Sequence, residues 1–392
     1  MKHTPSIPRS IWMLGLVSLF MDVSSELIHG LLPVFMVSSL GASALAVGVV
    51  EGIAESTASI VKVFSGALSD YLGKRKALAV AGYSLGALSK PLFALALSVN
   101  WVLAARFIDR IGKGIRGAPR DALVADLAPA EVRGAAYGLR QSLDTVGAFV
   151  GPLAGVLLML HWAGNFRIVF WYAVIPGLIA VLLLVFGVRE PGPMQRKRSA
   201  PIQWKILGDL GGAYWFVVAV GGVFTLARFS EAFLILRAQQ QGLGDSYAPL
   251  VLVLLNLVYA AAAYPAGKLA DRMSHLSLLG AGLVVLITAD LILAHARDLA
   301  GVGVGVALWG LHLGMTQGLL ATMVADTAPE QLRGTAFGFF NLSAGIAMLA
   351  ASVLAGLFWQ RLGSDMTFYA GALISLAALA MLALRRRRPG PA

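Results

Sequence analysis

The feature that most constrains this chain is a series of long apolar stretches running through almost all of it. A helix of about 20 apolar residues can cross the hydrocarbon core of a bilayer. Only 13% of the 392 residues are charged, against about a quarter in soluble domains. The pattern predicts an all-α membrane protein with twelve transmembrane helices, near residues 11–38, 43–69, 76–97, 101–125, 135–160, 165–187, 212–238, 247–270, 276–295, 300–325, 334–358 and 367–384.

The net charge of +11 is unevenly distributed between the loops. Lysines and arginines cluster at 74–76, 196–198 and 385–388, all on one predicted side of the membrane. Cytoplasmic loops carry such an excess, so both termini are expected in the cytoplasm of a bacterial-type inner membrane. The positive charge therefore indicates topology, and no nucleic-acid partner is expected.

The chain repeats itself at a spacing of about 200 residues, which favours two parallel halves with a solute site near mid-bilayer. The predicted bundles are 1–189 and 211–392, each of six helices, joined by a cytoplasmic linker at 190–210 with Pro191, Pro193 and a basic run. The repeated segments are 124–129 (VADLAP) with 324–329 (VADTAP), 133–138 (RGAAYG) with 333–338 (RGTAFG), and 66–70 (GALSD) with 267–271 (GKLAD).

Residues 66–76, GALSDYLGKRK, resemble the signature loop between helices 2 and 3 of the major facilitator superfamily, and the resemblance extends over essentially the whole chain. The resemblance implies that this loop and the corresponding segment of the second half form a latch between the halves. The latch would break and form again as the transporter alternates between its conformations. The alternative is that these residues only secure topology. The residues concerned are Gly66, Asp70, Gly73, Lys74 and Arg75, with Gly267, Asp271 and Arg272 in the second half.

Residues 147–155, GAFVGPLAG, in helix 5 are similar to the antiporter signature of proton-coupled efflux members of that superfamily. Gly147, Gly151 and Gly155 share one helical face, and Pro152 can bend the helix, so close packing is expected there. The second half has no matching Gly-Pro pair at 345–356, as in the efflux branch. The resemblance implies export, although a close-packed helix would suit any transporter.

Helix 4 carries a row of cations that step by 4, 3, 3 and 4 residues along one face: Arg106, Arg110, Lys113, Arg116 and Arg120. Such a row is too costly to face lipid, so it is expected to line an aqueous path. The resemblance implies that helices 1, 4, 7 and 10 line the central cavity and links Arg106 to proton coupling. Asp109 and Arg110 stand where drug exporters have uncharged residues, which favours an anionic substrate. A salt-bridge ladder with Asp109, Asp121, Asp144 and the helix 1 acids is the alternative.

Acidic side chains are the candidates for holding a proton. Ser230-Glu231 in helix 7 repeats Ser25-Glu26 in helix 1, so these two glutamates are the best candidates for proton or substrate contact. A metal site on helix 1 is not expected, because the surrounding charges are positive. The remaining candidates are Asp22 and His29 on helix 1, Glu51 and Glu55 on helix 2, Arg140 and Asp144 on helix 5, and Arg228 on helix 7. Those on helix 2 can equally be structural pairs, and those on helix 5 are expected as partners of helix 1 more than as ligands.

These residues favour a secondary active transporter: a proton-coupled antiporter that exports a small anionic or zwitterionic solute by alternating access. The alternative is an exchanger or importer of organic anions, such as phosphorylated or carboxylated metabolites, and a multidrug or metal-ion exporter is less favoured. The sequence has no cysteine and none of the common catalytic motifs, so no enzyme activity or cofactor is expected. The expected partners are the solute, protons and the bilayer, and the expected state is a monomer.

Overall fold

In a computed structural model, residues 7–189, 210–270, 272–329 and 332–386 are described, and they contain helices and no strand. The α-helices are α1 (Arg9–His29), α2 (Leu32–Val34), α3 (Ala44–Leu72), α4 (Arg75–Ala94), α5 (Val99–Leu127), α6 (Arg133–His161), α7 (Phe166–Tyr172), α8 (Val174–Gly187), α9 (Gly212–Ala227), α10 (Ala232–Gln240), α11 (Leu250–Ala270), α12 (His275–His295), α13 (Leu299–Thr316), α14 (Leu319–Thr327), α15 (Arg333–Leu362) and α16 (Ser364–Arg386).

Eleven helical segments within the described residues are long and apolar enough to cross a membrane. The remaining predicted span, near 101–125, corresponds to α5, which is 29 residues long and carries the row of charges from Arg106 to Asp121. The all-helical, multi-pass architecture is therefore confirmed. The count of twelve spans and the cytoplasmic termini stay predictions.

Four of the predicted spans are interrupted helices, and the one near 165–187 breaks only at Ala173, between α7 and α8. The first ends its α-helix at His29 and continues through a π-helix at Phe35–Ser39. The span near 212–238 breaks between α9 and α10, where residues 228–230 are not helical. The span near 300–325 breaks before α14 at Gly318, whose φ of +82° is one that glycine adopts without strain. Apolar periodicity alone does not reveal such breaks, because the residues on both sides remain apolar.

The contacts divide the chain into two compact units, each described here by itself. Unit 1 comprises Met1–Met36, Thr57–Pro201 and Asp245–Leu250, and unit 2 comprises Val37–Ser56, Ile202–Gly244 and Val251–Ala392. The predicted bundle limits of 1–189 and 211–392 stay a prediction. Residues 190–209 of the predicted linker lie outside the described residues.

In unit 1, α1 packs against α6 and α8, and α4 packs against α5. The core between these helices is apolar and includes Leu14, Met21 and Tyr83. In unit 2, α12 packs against α13 and α16, and α9 against α15 and α16. Tyr214 on α9 is buried there and its hydroxyl donates to the carbonyl oxygen of Ala336 at 3.0 Å. These tight pairs of helices fix the charged side chains described next.

Candidate functional site

The charged face of α5 is largely buried within unit 1. Arg106 and Arg110 are each 1% exposed, Asp109 is 2% exposed and Arg116 is 4% exposed. Lys113, on the same face, is exposed, and Arg120 is half-buried. The row predicted from the sequence therefore lies mainly against protein in this structure, and Lys113 is the cation of the row most open to a solute.

Lys90 on α4 forms a buried ion pair with Asp109 on α5. The Nζ atom of Lys90 donates to Asp109 Oδ1 at 2.7 Å and to the hydroxyl of Ser25 on α1 at 3.0 Å. Arg110 Nε lies 3.8 Å from the other carboxylate oxygen of Asp109. Asp109 thus joins α4 and α5, and its negative charge compensates the buried cations. Buried charges need such compensation, because they have lost their hydration in a low-dielectric interior.

Glycines bring α4 and α5 close enough for this pair to form. A Cβ atom at Gly82 would lie 2.7 Å from the carbonyl oxygen of Gly112, and one at Gly112 would lie 2.7 Å from the carbonyl oxygen of Gly82. Small residues at such crossings let two backbones approach closely. The short distance between the helices leaves little room for water beside Lys90 and Asp109.

Arg116 is held against an aromatic ring. Its guanidinium lies 4.9 Å from the centroid of the Tyr83 ring, a cation–π geometry. Its Nη1 atom is buried and has no hydrogen-bond partner in the described part of the chain. A buried guanidinium nitrogen without an acceptor is a natural contact for an anionic group.

The glycine stripe of α6 packs onto α1. A Cβ at Gly147 would lie 2.6 Å from the carbonyl oxygen of Leu19, and one at Gly151 would lie 2.9 Å from that of Val23. Gly155 follows at ordinary van der Waals distance from Leu27. The stripe therefore covers successive turns of α1, and Pro152 lies buried inside the continuous α6. Whether the stripe acts as an antiporter seal stays a prediction.

The α1 acids Asp22 and Glu26 both lie beside this glycine stripe, and each has a polar partner. The carboxyl group of Asp22 lies near that of Asp144 of α6, and the two interact electrostatically. Glu26 Oε2 lies 3.2 Å from His29 Nδ1, one turn further along α1. Glu26 also interacts electrostatically with Lys113 and Arg110 of α5. The structure thus brings helix 1 acids, Asp144 and the α5 cations into one polar region of unit 1.

Two arginines bridge the acids of α5 and α6. Arg120 lies 3.2 Å from Asp121 and 3.7 Å from Asp144, and Arg140 lies 3.7 Å from Asp144 and 3.9 Å from Asp121. These contacts are part of the salt-bridge ladder that the sequence offered as an alternative to an open cation row. At this end of α5 the arginines lie within 4 Å of carboxylates, whereas Lys113 is exposed and Arg116 Nη1 has no hydrogen-bond partner among the described residues.

The signature loop is fixed by contacts at the ends of α4 and α5. Gly73 adopts a φ of +63°, which allows the turn between α3 and α4. Arg75 forms an ion pair with Asp126, and Lys76 donates to the carbonyl oxygen of Val185 at 2.8 Å. Gly66 packs against the side chain of Ala118 on α5. Lys74 is exposed.

The remaining signature residues belong to the second half or carry no described side chain. In the second-half copy of the motif, Gly267 has open space around it and Arg272 is exposed. At the start of α12, His275 lies 3.8 Å from Asp326, which repeats Asp126 of the first half. The side chain of Asp70, and Asp271 as a whole, lie outside what the structure describes. The predicted latch role of these residues stays a prediction.

The candidates in unit 2 lie on α3 and around the break between α9 and α10. Glu51 is buried and Glu55 is half-buried in α3. Arg228 lies in the break with its guanidinium 5.5 Å from the ring centroid of Phe224. Glu231 occupies the N-terminal cap position of α10. Arg228 and Glu231 therefore flank a non-helical segment inside a predicted span, where irregular backbone in membrane proteins marks a protein-lined or wet site.

The buried polar residues that were not among the predicted site residues include Lys90, Asp290 and His312. Asp290 is 0% exposed and accepts a hydrogen bond from Trp309 Nε1 at 3.0 Å. His312 Nδ1 lies 2.7 Å from the carbonyl oxygen of Gly282. Each of these three residues is ionisable and lies inside an apolar span, and this sequence feature could have identified them as candidates. In the described residues, no cluster of three His, Asp or Glu side chains suited to a metal is found.

Comparison with known proteins agrees with this architecture. The family model described as "Major Facilitator Superfamily" matches residues 14–351 and 232–392. The uncharacterized MFS-type transporter MJ1317 of Methanocaldococcus jannaschii is 31% identical over 383 residues, covering 96% of this chain and 94% of that protein. The inner membrane transport protein YajR of Escherichia coli is 23% identical, covering 99% of this chain and 86% of that protein.

A solved structure shares the fold at low sequence identity. The crystal structure of the human organic anion transporter MFSD10 superimposes with a TM-score of 0.68 at 20% identity, covering 95% of this chain and 99% of that one. Helices, buried charges and relatives together define a multi-pass membrane transporter of a small solute. The chain belongs to the Major Facilitator Superfamily.

Proposed function

We propose that this transporter is a secondary active antiporter that exports a small anionic or zwitterionic solute in exchange for protons. The observation that carries the proposal is the charge balance around α5 in unit 1. There the cations outnumber the carboxylates of the same unit; Lys113 is exposed, and guanidinium nitrogens of Arg116 and Arg140 are buried without a hydrogen-bond partner among the described residues. The cations are Lys90, Arg106, Arg110, Lys113, Arg116, Arg120 and Arg140, and the carboxylates are Asp22, Glu26, Asp109, Asp121 and Asp144.

An anionic group of the solute would meet Lys113 and Arg116. Lys113 is exposed, and Arg116 Nη1 is buried without an acceptor. Asp109, by contrast, is already engaged by Lys90. A carboxylate or phosphate would supply the missing acceptor and reduce the excess positive charge. Charge-assisted hydrogen bonds of this kind are stronger than neutral ones. A zwitterion could place its cationic group near Glu26, whose partner is the titratable His29.

The contact between Asp22 and Asp144 supports the exchange of protons. Two neighbouring carboxylates repel each other, and the repulsion is relieved when one of them carries a proton. The pair lies beside Arg120, whose Nη1 is 3.7 Å from Asp144 Oδ1, so the deprotonated form also has a cation at hand. A pair that tolerates both states can accept a proton in one conformation and release it in another. Glu26, in the same region, remains the second candidate carrier.

The direction of transport follows from the resemblance of residues 147–155 to the antiporter signature. The close packing of Gly147 and Gly151 on α1 suits that interpretation, because it holds α6 against the turns that carry Asp22 and Glu26. The alternative function, an organic-anion exchanger or importer, would use the same cations. It differs in how protons move, since an importer driven by protons carries them in the same direction as the solute.

Binding can be tested with the purified protein and a panel of anionic, cationic and neutral metabolites in a thermal-shift screen. The proposal predicts stabilisation by anionic or zwitterionic compounds. Lys113→Gln should weaken the affinity for such a compound roughly ten-fold to a hundred-fold, because a charge-assisted hydrogen bond is worth about 1.5–3 kcal/mol. Arg361→Gln, which removes an exposed cation at the end of α15, is the matched control and should bind normally. Stabilisation by cations alone would contradict the proposal.

A further inference from the structure

Asp290 on α12 is a carboxyl group enclosed by aromatic side chains and backbone. It is 0% exposed, and its Oδ1 accepts the Trp309 indole N–H at 3.0 Å. Its Oδ2 is buried and has no hydrogen-bond partner among the described residues. A Cβ atom at Gly371 of α16 would lie 2.7 Å from that oxygen, so the glycine leaves just enough space for it.

No charged group in the described residues balances a negative charge on Asp290. On the helices packed against α12, the titratable groups are engaged elsewhere. His312 of α13 contacts Gly282, Asp326 of α14 pairs with His275, and Asp365 of α16 pairs with Arg237. Tyr369 of α16 bonds to His295. At the helix break, Arg228 lies over Phe224, and its charge interacts with that of Glu231.

A carboxylate in such surroundings is costly, because burial without a cation or sufficient donors penalises the charged form. One indole donor does not replace the hydration of an anion. The neutral carboxylic acid fits better, since its uncharged C=O accepts from Trp309 and its O–H needs only a small space. The geometry therefore suits a protonated side chain in this conformation.

The surroundings also connect Asp290 to the break between α9 and α10. Phe229 lies in the break, and its ring centroid is 5.6 Å from that of Trp309. A Cβ at Gly371 would lie 2.7 Å from Asp290 Oδ2 and 3.0 Å from Phe229 Cε1. The carboxyl group and the Phe229 ring thus border the same small space beside Gly371. A shift of Phe229 would open this space next to Asp290 Oδ2.

We propose that Asp290 is a proton-binding site: it holds a proton as a neutral acid in this arrangement and releases it when the break at 228–231 moves and admits water. In the release step the O–H bond breaks, its electron pair stays on Oδ2, and the proton passes to water. The site is separate from the Asp22–Asp144 pair of unit 1. Its use in transport rests on the proton coupling proposed above.

Infrared spectroscopy of the purified protein tests protonation directly. The wild-type minus Asp290→Asn difference spectrum at neutral pH should contain the C=O stretch of a protonated carboxylic acid, and the band should disappear in alkaline buffer. Asp298→Asn, which removes an exposed capping carboxylate, should leave the band unchanged. Trp309→Phe keeps the carboxyl group and removes its donor, so the band should move to higher frequency; this variant serves if Asp290→Asn folds poorly.

Hydrogen–deuterium exchange tests the link to the helix break. Between neutral and alkaline pH, the backbone of 228–231 should become less protected in the wild type than in Asp290→Asn at the same pH. The absence of the acid band at neutral pH would overturn the proposal, since Asp290 would then be charged. A band that persists at every pH where the protein is folded, with equal exchange in both proteins, would overturn it as well. Neither readout depends on transport, so failure of solute–proton exchange would be seen separately.

Discussion

Lys90 and Asp109, 19 positions apart in the sequence, meet at 2.7 Å with side chains only 1% and 3% exposed. The pair joins α4 to α5 at the centre of the charged region. Lys90 Nζ also donates a hydrogen bond to the hydroxyl of Ser25 on α1. Because Asp109 is already paired with Lys90, it is not available to bind a solute. A buried pair of this kind has a specific energetic signature that can be measured.

Removing Asp109 from the Lys90–Asp109 pair should strongly destabilise the protein. Asp109→Asn leaves Lys90 buried without a carboxylate, at a cost of about 3–5 kcal/mol in the free energy of unfolding. Lys90→Met should cost less, because Arg110 Nε still lies 3.8 Å from Asp109. The double variant should recover part of the Asp109→Asn loss, because it also removes the buried ammonium group. Thermal unfolding of the four proteins measures this coupling. Additive losses in the double variant would show that the two residues act independently.

Two glycines of α6, one inside the glycine stripe and one outside it, should respond differently to substitution. Gly147→Ala places a methyl group 2.6 Å from the backbone oxygen of Leu19, and overpacking costs about 1–3 kcal/mol. Gly138→Ala on the same helix meets nothing within 4 Å, so it should be neutral or gain up to about 1 kcal/mol from helix propensity. Unfolding midpoints in matched detergent separate the two, and equal effects would argue against close α1–α6 packing at Gly147.

Membrane topology can be tested with reporters at two positions. A fusion within 196–205 or after Arg388 should report a cytoplasmic location, because both are the basic segments that the positive-inside rule retains. A fusion beside Arg297, between α12 and α13, should report the opposite side and serves as the control. A periplasmic signal at either basic position would contradict the predicted orientation.

Much of the helical architecture could be predicted from hydropathy, because span length is set by bilayer thickness and not by tertiary contacts. The common face of Arg106, Arg110 and Lys113 follows likewise from helical geometry. The pairing of Asp109 could not be predicted, since it depends on how closely Gly82 and Gly112 let α4 approach α5.

The break at 228–231 contains neither glycine nor proline, so no local signal indicated it. Asp290 was overlooked because one acid hardly changes the mean hydropathy of α12. Its significance depends on the position of Trp309, 19 residues later in the sequence and adjacent in the fold.

The most direct test of the central claim is the movement of protons when a solute gradient is applied. Right-side-out vesicles containing the protein and a lumenal pH dye are loaded with an anionic compound that stabilises the protein in the binding screen, then diluted. Export in exchange for protons predicts that the lumen acidifies as the solute leaves, and that Asp22→Asn largely loses this response. Alkalinisation of the lumen, or solute release with no change in pH, would contradict the account.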